Sequence, residues 1–336
     1  VGSSRAREWF LLDADADPRG FGERPGALFA VDLESGAVRT AASSPEWRDP
    51  TDLLFLEDGT ALLLDYRDAP EPDGRNVGAI FRVDPDRGTS ERVAIPDGLV
   101  DPVSFAREED GSLLIADKNA SPGGRGRGAL FRLSPGYDRL AILAAGPPLA
   151  APADVRRGAD GHWYLLDADA GRRDPLPEEG RVRGPPPGEG TLFRVESSGL
   201  VPVCAPAATL SPLSIVPEPG GTFLLIDANA DPKEPARLRG AVFRVDPRSG
   251  GATLVCASGE FRDPLRGEWD GEDLLVVDAN ADPGGFGDDG VGRGFGGFGR
   301  GAVFRLDPRT GRARAALVSR EFRTPTALRS RPALRP

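Results

Sequence analysis

The 336-residue chain has no methionine, one histidine, two cysteines and two lysines. Each scarcity removes a class of function. Two cysteines cannot staple a disulfide-rich domain, and a lone histidine, His162, rules out multi-histidine metal centres. It also leaves serine, cysteine or threonine nucleophiles without a plausible histidine base. No apolar run approaches the roughly 18 residues of a membrane-crossing helix. No basic and then apolar leader precedes Glu8-Trp9-Phe10, so no signal peptide is expected; a cytoplasmic protein or a mature exported form both fit. The formal charge of −10 argues against duplex nucleic acid and anionic membranes as partners. Lysine is so rare that 40 of the 42 basic residues are arginine, which with abundant Ala, Gly and Pro reads as the codon usage of a GC-rich bacterial genome.

What the chain has in excess is 44 glycines and 33 prolines, a level that raises low complexity or disorder. Against disorder, 39% of the residues are hydrophobic, and their pattern is periodic. An apolar run ending in Asp occurs six times: WFLLD, ALLLD, LLIAD, WYLLD, FLLID and LLVVD. The terminal residues are Asp13, Asp65, Asp117, Asp167, Asp227 and Asp278, spaced 52, 52, 50, 60 and 51 residues apart. After each comes G-[AT]-[LIV]-F, with Phe29, Phe81, Phe131, Phe193, Phe243 and Phe304. A proline then opens a further apolar stretch, at Pro50, Pro102, Pro152, Pro212, Pro264 and Pro325. Three markers in constant order define a repeat.

Each copy reads as four short strands, A to D. In the second, strand A is about 51–56, strand B 61–65, strand C 79–84 and strand D near 91–95. Glu57-Asp58-Gly59 and Pro85-Asp86-Arg87-Gly88 supply turns. Strand B is apolar at nearly every position, so it has to be covered on both faces. Six four-stranded units of about 50 residues give an all-β, six-bladed β-propeller of antiparallel blades in a single domain. The units run 1–45 plus 321–336, 46–97, 98–146, 147–206, 207–258 and 259–320. The chain starts in a strand B (Glu8–Leu12) and ends in a strand A (Thr326–Ser330), so the last strand is expected to complete the first blade and close the ring.

The order "Pro, apolar strand, D-G, apolar strand ending V-A-D or L-I-D, then I/V-x-R-V-D-P-x-x-G" resembles NHL-type propellers and the wider superfamily of gluconolactonase-like, calcium-dependent lactonases. It is also similar to bacterial repeat proteins reading "VADA…GAVIRVDPxTG", as at Val276–Asp278 and Gly301–Gly311. The enzyme branch of that resemblance implies a divalent cation held in the central channel by Glu, Asn and Asp from different blades, one ligand directly following a strand-A proline. Those positions here are Thr51, Val103, Ala153, Leu213, Leu265 and Thr326, with no carboxylate or amide among them. The next positions are Asp52, Ser104, Asp154, Ser214, Arg266 and Ala327, with two acids two blades apart. Propeller lyases that use several histidines are excluded. His162, in Asp160-Gly161-His162-Trp163, is expected to be an exposed residue of an A–B turn.

The loops after strand B carry most of the information. They read Asp13-Ala-Asp15-Ala-Asp17-Pro, Asp167-Ala-Asp169-Ala, Asp227-Ala-Asn229-Ala-Asp231-Pro and Asp278-Ala-Asn280-Ala-Asp282-Pro. Degraded copies are Asp65-Tyr-Arg67-Asp68 and Asp117-Lys-Asn119-Ala-Ser121. Three of the four asparagines in the chain fill one slot, which points to a requirement for a short side-chain carbonyl oxygen. The preferred reading is structural: the Asp and Asn residues cap loop N–H groups. The first Asp could also pair with the Arg after the strand-C Phe (Arg82, Arg132, Arg194, Arg244, Arg305). The second reading is calcium, because D-x-[DN]-x-D spaces oxygens at alternate positions; yet Pro18, Pro232 and Pro283 stand where a calcium loop has Gly. Direct substrate contact is the third.

In an A-B-C-D meander, B–C loops and D–A connections share one face. The long stretches Gly171–Gly190 and Gly284–Gly301 lie there, the second reading as a flexible Gly-rich insertion with Phe286, Phe295 and Phe298. The D–A connections add Glu46-Trp47-Arg48-Asp49, Glu260-Phe261-Arg262-Asp263 and Glu321-Phe322-Arg323. Variable loops on a rigid frame carry ligands. The expected ligand face is therefore Trp47, Arg48, Asp52, Asp154, Phe261, Arg262, Phe322 and Arg323, with the aromatics exposed. Cys204 and Cys256, on equivalent outer strands of adjacent blades, are expected to be free buried thiols. The functional expectation is a monomeric, non-catalytic recognition or scaffold propeller for a protein, peptide or glycan. The alternative is a calcium-dependent lactonase or hydrolase, and a paralogue retaining only the fold is a third reading.

Overall fold

The structure, a computed structural model, describes residues 7–22, 25–70, 76–93, 98–124, 126–170, 190–205, 209–230, 239–286 and 300–333, with the side chains of 67–70 and 76 left aside. Six four-stranded antiparallel sheets make up the fold, and no α-helix occurs among the described residues. Counting blades from the N-terminus, strands A are Pro325–Arg331, Pro50–Phe55, Pro102–Arg107, Pro152–Arg157, Pro212–Pro217 and Pro264–Asp270. Strands B are Glu8–Asp13, Ala61–Pro70, Leu113–Asp117, Trp163–Asp167, Phe223–Asp227 and Asp273–Asp278. Each blade continues through C to an outer strand D. The strands A neighbour one another in a closed ring of six around the axis. The last strand A pairs with Glu8–Asp13, in the register Leu11 to Leu328, which closes the first blade as expected.

Every strand B is buried on both sides because neighbouring blades stack on it. Six apolar clusters result, one at each blade interface, including the one that joins blade 6 to blade 1 through Leu275, Val277, Leu11 and Phe29. With a core between every pair of blades, the ring has no weak seam.

Two of the three sequence markers prove to be halves of one contact. A Cβ added at Gly26, Gly78, Gly128, Gly190, Gly240 or Gly301 would lie inside the ring of Pro50, Pro102, Pro152, Pro212, Pro264 or Pro325 of the following blade. The glycine before strand C and the proline opening the next strand A recur together because the blades touch there.

The second blade departs from the others. Its strands B and C run on to Pro70 and from Asn76, with a register shift between Asp65 and Ala69. Arg67 and Asp68 replace the D-A-[DN]-A signature, and the two strands stay paired as far as Pro70 and Asn76. Cys204 and Cys256 are buried and outside any disulfide, and His162 is exposed in its turn, both as expected.

Candidate functional site

Each strand A begins with a β-bulge. Pro50 opposes Asp65 and Asp52 opposes Leu64, leaving Thr51 out of register. The same shift recurs in all six blades. The six bulged residues, Thr51, Val103, Ala153, Leu213, Leu265 and Thr326, surround a recess of about 350 Å³ at the channel mouth on the B–C/D–A face. Bulges re-aim side chains at sites of this kind. Lys118, Asp169, Asn229 and Asp263 line it above the ring, and Arg266 lies at its base. Lys118 replaces the Ala found at this loop position in four other copies, and its exposed ammonium has no ion pair among the described residues.

Beneath the recess the axis is filled by charge. Asp52 and Asp154, both wholly buried, meet three guanidinium groups. Arg329 binds Asp52 at 2.7 Å, and Arg156 reaches Asp154 at 3.1 Å and Asp52 at 3.5 Å. Arg266 crosses from blade 6 to Asp154 at 3.4 Å. It also donates to the carbonyls of Thr51, at 3.3 Å, and Val103. Ser104 and Ser214 donate to the two oxygens of Asp154 at 2.6 and 2.8 Å. Glu268, 3.4 Å from Arg329, brings the carboxylates to three against three guanidiniums. Burial pushes the Asp52 carboxyl up, but Arg266, Arg329 and Arg156 outweigh it and pull it to about 2.

Asp52 and Asp154 were expected on the ligand face; they lie below it, inside the plug. A channel cation would have to displace guanidinium groups already bonded to these carboxylates. Among the described residues, no three His, Cys, Asp or Glu side chains converge as a metal site requires. The axial residues therefore do not fit a divalent ion.

The Asp-rich loops are caps in every described copy. Asp13 accepts from the backbone N–H groups of Arg323, Thr324, Asp15 and Ala16 at 2.8–3.1 Å. Asp278 accepts from Arg262, Asp263, Asn280 and Ala281. Asp65, Asp117, Asp167 and Asp227 likewise tie the D–A connection to strand B. The third acids, Asp17 and Asp282, cap the next turn through Phe21, Gly22 and Phe286. Asp231 lies outside the described residues, as do 171–189 and 287–299 of the long loops, including Phe295 and Phe298. Burial is the main cause that pushes Asp13 up to about 7 and Asp117 to about 6; Asp167, Asp227 and Asp278 are raised for the same reason. The alternate alanines of the motif, Ala16, Ala120, Ala230 and Ala281, seal blade interfaces.

The middle slot takes more than a carbonyl oxygen. Asp15 accepts from the Thr324 hydroxyl at 2.7 Å, whereas Asn119 donates to Asp101 at 2.6 Å and Asn280 to Asp263 at 3.0 Å. In these three copies the partner is the residue just before the strand-A proline, a donor facing Asp15 and an acceptor facing Asn119 and Asn280. Asp263, in the recess wall, is pushed up to about 7 by burial and by Asp278 beside it.

Three further expectations are corrected. Trp47, Phe261 and Phe322 are fully buried, not exposed. They fold back onto the strand-C rings of Phe81, Phe304 and Phe29 at centroid distances of 6.5, 5.2 and 5.9 Å. Large rings bury too much apolar area to be left in water when such a hollow is available. Arg48 and Arg262 are exposed beside them and Arg323 is half-buried, so the charged members do reach the surface. The Arg residues after the strand-C Phe do not meet the capping Asp. They sit at the opposite end of the strand and pair with Asp58, Glu108, Glu196, Glu218, and Asp270 with Asp273. The plug residues Arg156, Arg329 and Glu268 were missed. Their one signal is position: each stands four residues after a strand-A proline, on the side that faces the axis.

No family model matches the chain, and no curated protein matches it. Solved structures do match in fold. One is a nidogen/laminin complex, at TM-score 0.63 and 10% identity over 96% of this chain and 97% of that one. TolB from Acinetobacter baumannii gives 0.61 and 14% over 97% and 67%. A 6-phosphogluconolactonase candidate from Bacteroides uniformis gives 0.54 and 15% over 96% and 99%. At these identities the likeness is one of fold, and by fold the chain is a six-bladed β-propeller.

Proposed function

We propose that the protein is a recognition propeller that binds a peptide or protein segment through the B–C/D–A face. The axial recess is the pocket into which one residue of the partner inserts. The observation that carries this is the recess itself: six uncharged bulge residues around about 350 Å³, polar groups above them and a charge-balanced floor beneath. That volume suits a large side chain or a chain end, and a few polar groups over an apolar wall fix orientation. The buried aromatics hold the loops in place, Lys118 supplies exposed charge at the recess, and Arg48 and Arg262 supply it on the D–A connections. A protein–protein assembly also stands among the similar folds, in the nidogen/laminin complex. Kinship with NHL-type repeats would agree with this reading. The calcium-dependent lactonase reading needs an axial ion, and the carboxylates that would hold it are already bonded to Arg266, Arg329 and Arg156.

The test is selection of a displayed random-peptide library against the immobilised protein and its Leu213→Trp variant, which fills the recess. Sequences enriched on the wild type should be lost on the variant. Equal enrichment on both, or none on either, would contradict a recess site.

A further inference from the structure

The opposite face, formed by the A–B and C–D turns, carries a second and larger cavity. A groove of about 620 Å³ runs over blades 4, 5 and 6. Trp269 forms one wall, half-buried and fixed by its indole N–H, which donates to the Pro217 carbonyl at 2.9 Å. Pro217, Pro219 and Pro308 add rigid apolar rings. Three arginines line the remainder, and each already has a glutamate. Arg157 meets Glu109 at 2.5 Å, Arg244 meets Glu218 at 2.8 and 2.9 Å, and Arg309 meets Glu272 at 3.0 Å.

We propose that this groove binds a neutral oligosaccharide. Each guanidinium already holds a carboxylate, Glu218 and Glu272 in the groove wall and Glu109 outside it, so a phosphate or sulfate would have to compete with a formed pair to bind. The Arg244–Glu218 and Arg309–Glu272 pairs present donors and acceptors side by side in the wall. A sugar hydroxyl both donates and accepts, so vicinal hydroxyls can use both partners of a pair at once. The C–H face of a pyranose supplies the apolar surface that the Trp269 ring and the prolines require. An extended peptide fits less well. The turn backbones satisfy themselves, with Gly158 donating to His162, Gly161 to Gly158, Glu218 to Thr222 and Gly221 to Glu218. No strand edge is therefore offered there for a peptide to extend. This site is separate from the recess, and the two stand or fall independently.

The experiment is titration calorimetry with neutral hexasaccharides of glucose and of N-acetylglucosamine, and with a sulfated hexasaccharide beside them. Trp269→Ala removes the stacking surface. Because Trp269 also packs on the core between blades 5 and 6, Ala159→Trp serves as a second variant. Ala159 is an exposed turn residue of the groove, and the new ring fills the cavity without touching the core. At least one neutral hexasaccharide is expected to bind the wild type, with affinity at least about tenfold weaker in both variants and unchanged in Leu213→Trp. The proposal is overturned by no neutral binding at millimolar concentration, by binding that survives both variants, or by preference for the sulfated sugar.

Discussion

Gly240 and Pro264 touch across the interface of blades 5 and 6 so closely that a single added methyl group would enter the proline ring. The same pair recurs at all six interfaces, so this contact sets how tightly the ring closes. Gly240→Ala is expected to cost about 1–3 kcal/mol through overpacking. Urea unfolding measures it. Gly220→Ala, where a Cβ meets nothing within 4 Å, is the matched control and should be near neutral.

Asp227 is wholly buried and accepts from the N–H groups of Leu210, Ser211 and Asn229 at 2.8–3.1 Å. Asp227→Ala orphans these donors and is expected to cost at least about 2 kcal/mol. If the Asp loops are caps, millimolar calcium leaves the melting temperature of the wild type unchanged. A calcium-dependent rise would restore the ion reading.

Removing Arg266 leaves Asp52 and Asp154 with unbalanced charge below the recess. Arg266→Ala is expected to destabilise by about 3–5 kcal/mol, the cost of breaking a buried ion cluster from one side. Mild acid should recover part of that loss, because protonating Asp52 removes the surplus charge. Thermal melts of variant and wild type at pH 4.5 and pH 7.5 read both effects, and a deficit against wild type that is equal at the two pH values would argue against an electrostatic plug.

The raised carboxyls give a pH dependence of defined sign. Asp13 and Asp263 move from an ordinary value of 3.8 to about 7. Between about pH 4 and 7 the folded chain therefore holds protons that the unfolded chain has released, and stability falls as pH rises through that window. Asp52, drawn down to about 2, acts oppositely and only below about pH 4. The melting temperature should decline from pH 5 to 8, less steeply in Asp263→Asn. A rise over the same range would contradict these assignments.

The architecture was legible because its markers are local consequences of repeated contacts. The glycine, the proline and the capping Asp each recur wherever blades meet. The site was less legible because its residues come together only in the closed ring. Arg266, Asp154 and Thr51 lie on three different blades, and no local pattern announces that they share an axis. The charged neighbours in Glu46-Trp47-Arg48-Asp49 suggest exposure, yet Trp47 is buried. A better signal was its spacing. The residue three before each strand-A proline is Trp47, Leu99, Leu149, Thr209, Phe261 or Phe322, and all six are buried. The reciprocity of Asn280 with Asp263 and of Asp15 with Thr324 was likewise present in the sequence, but only for a reader pairing positions on either side of strand B.

Recognition rather than metal-dependent hydrolysis is tested most directly by initial rates on a panel of lactones and esters, with and without millimolar calcium. A guanidinium plug in the channel predicts rates at the uncatalysed background in both conditions. Calcium-dependent turnover that is lost on chelation would contradict it.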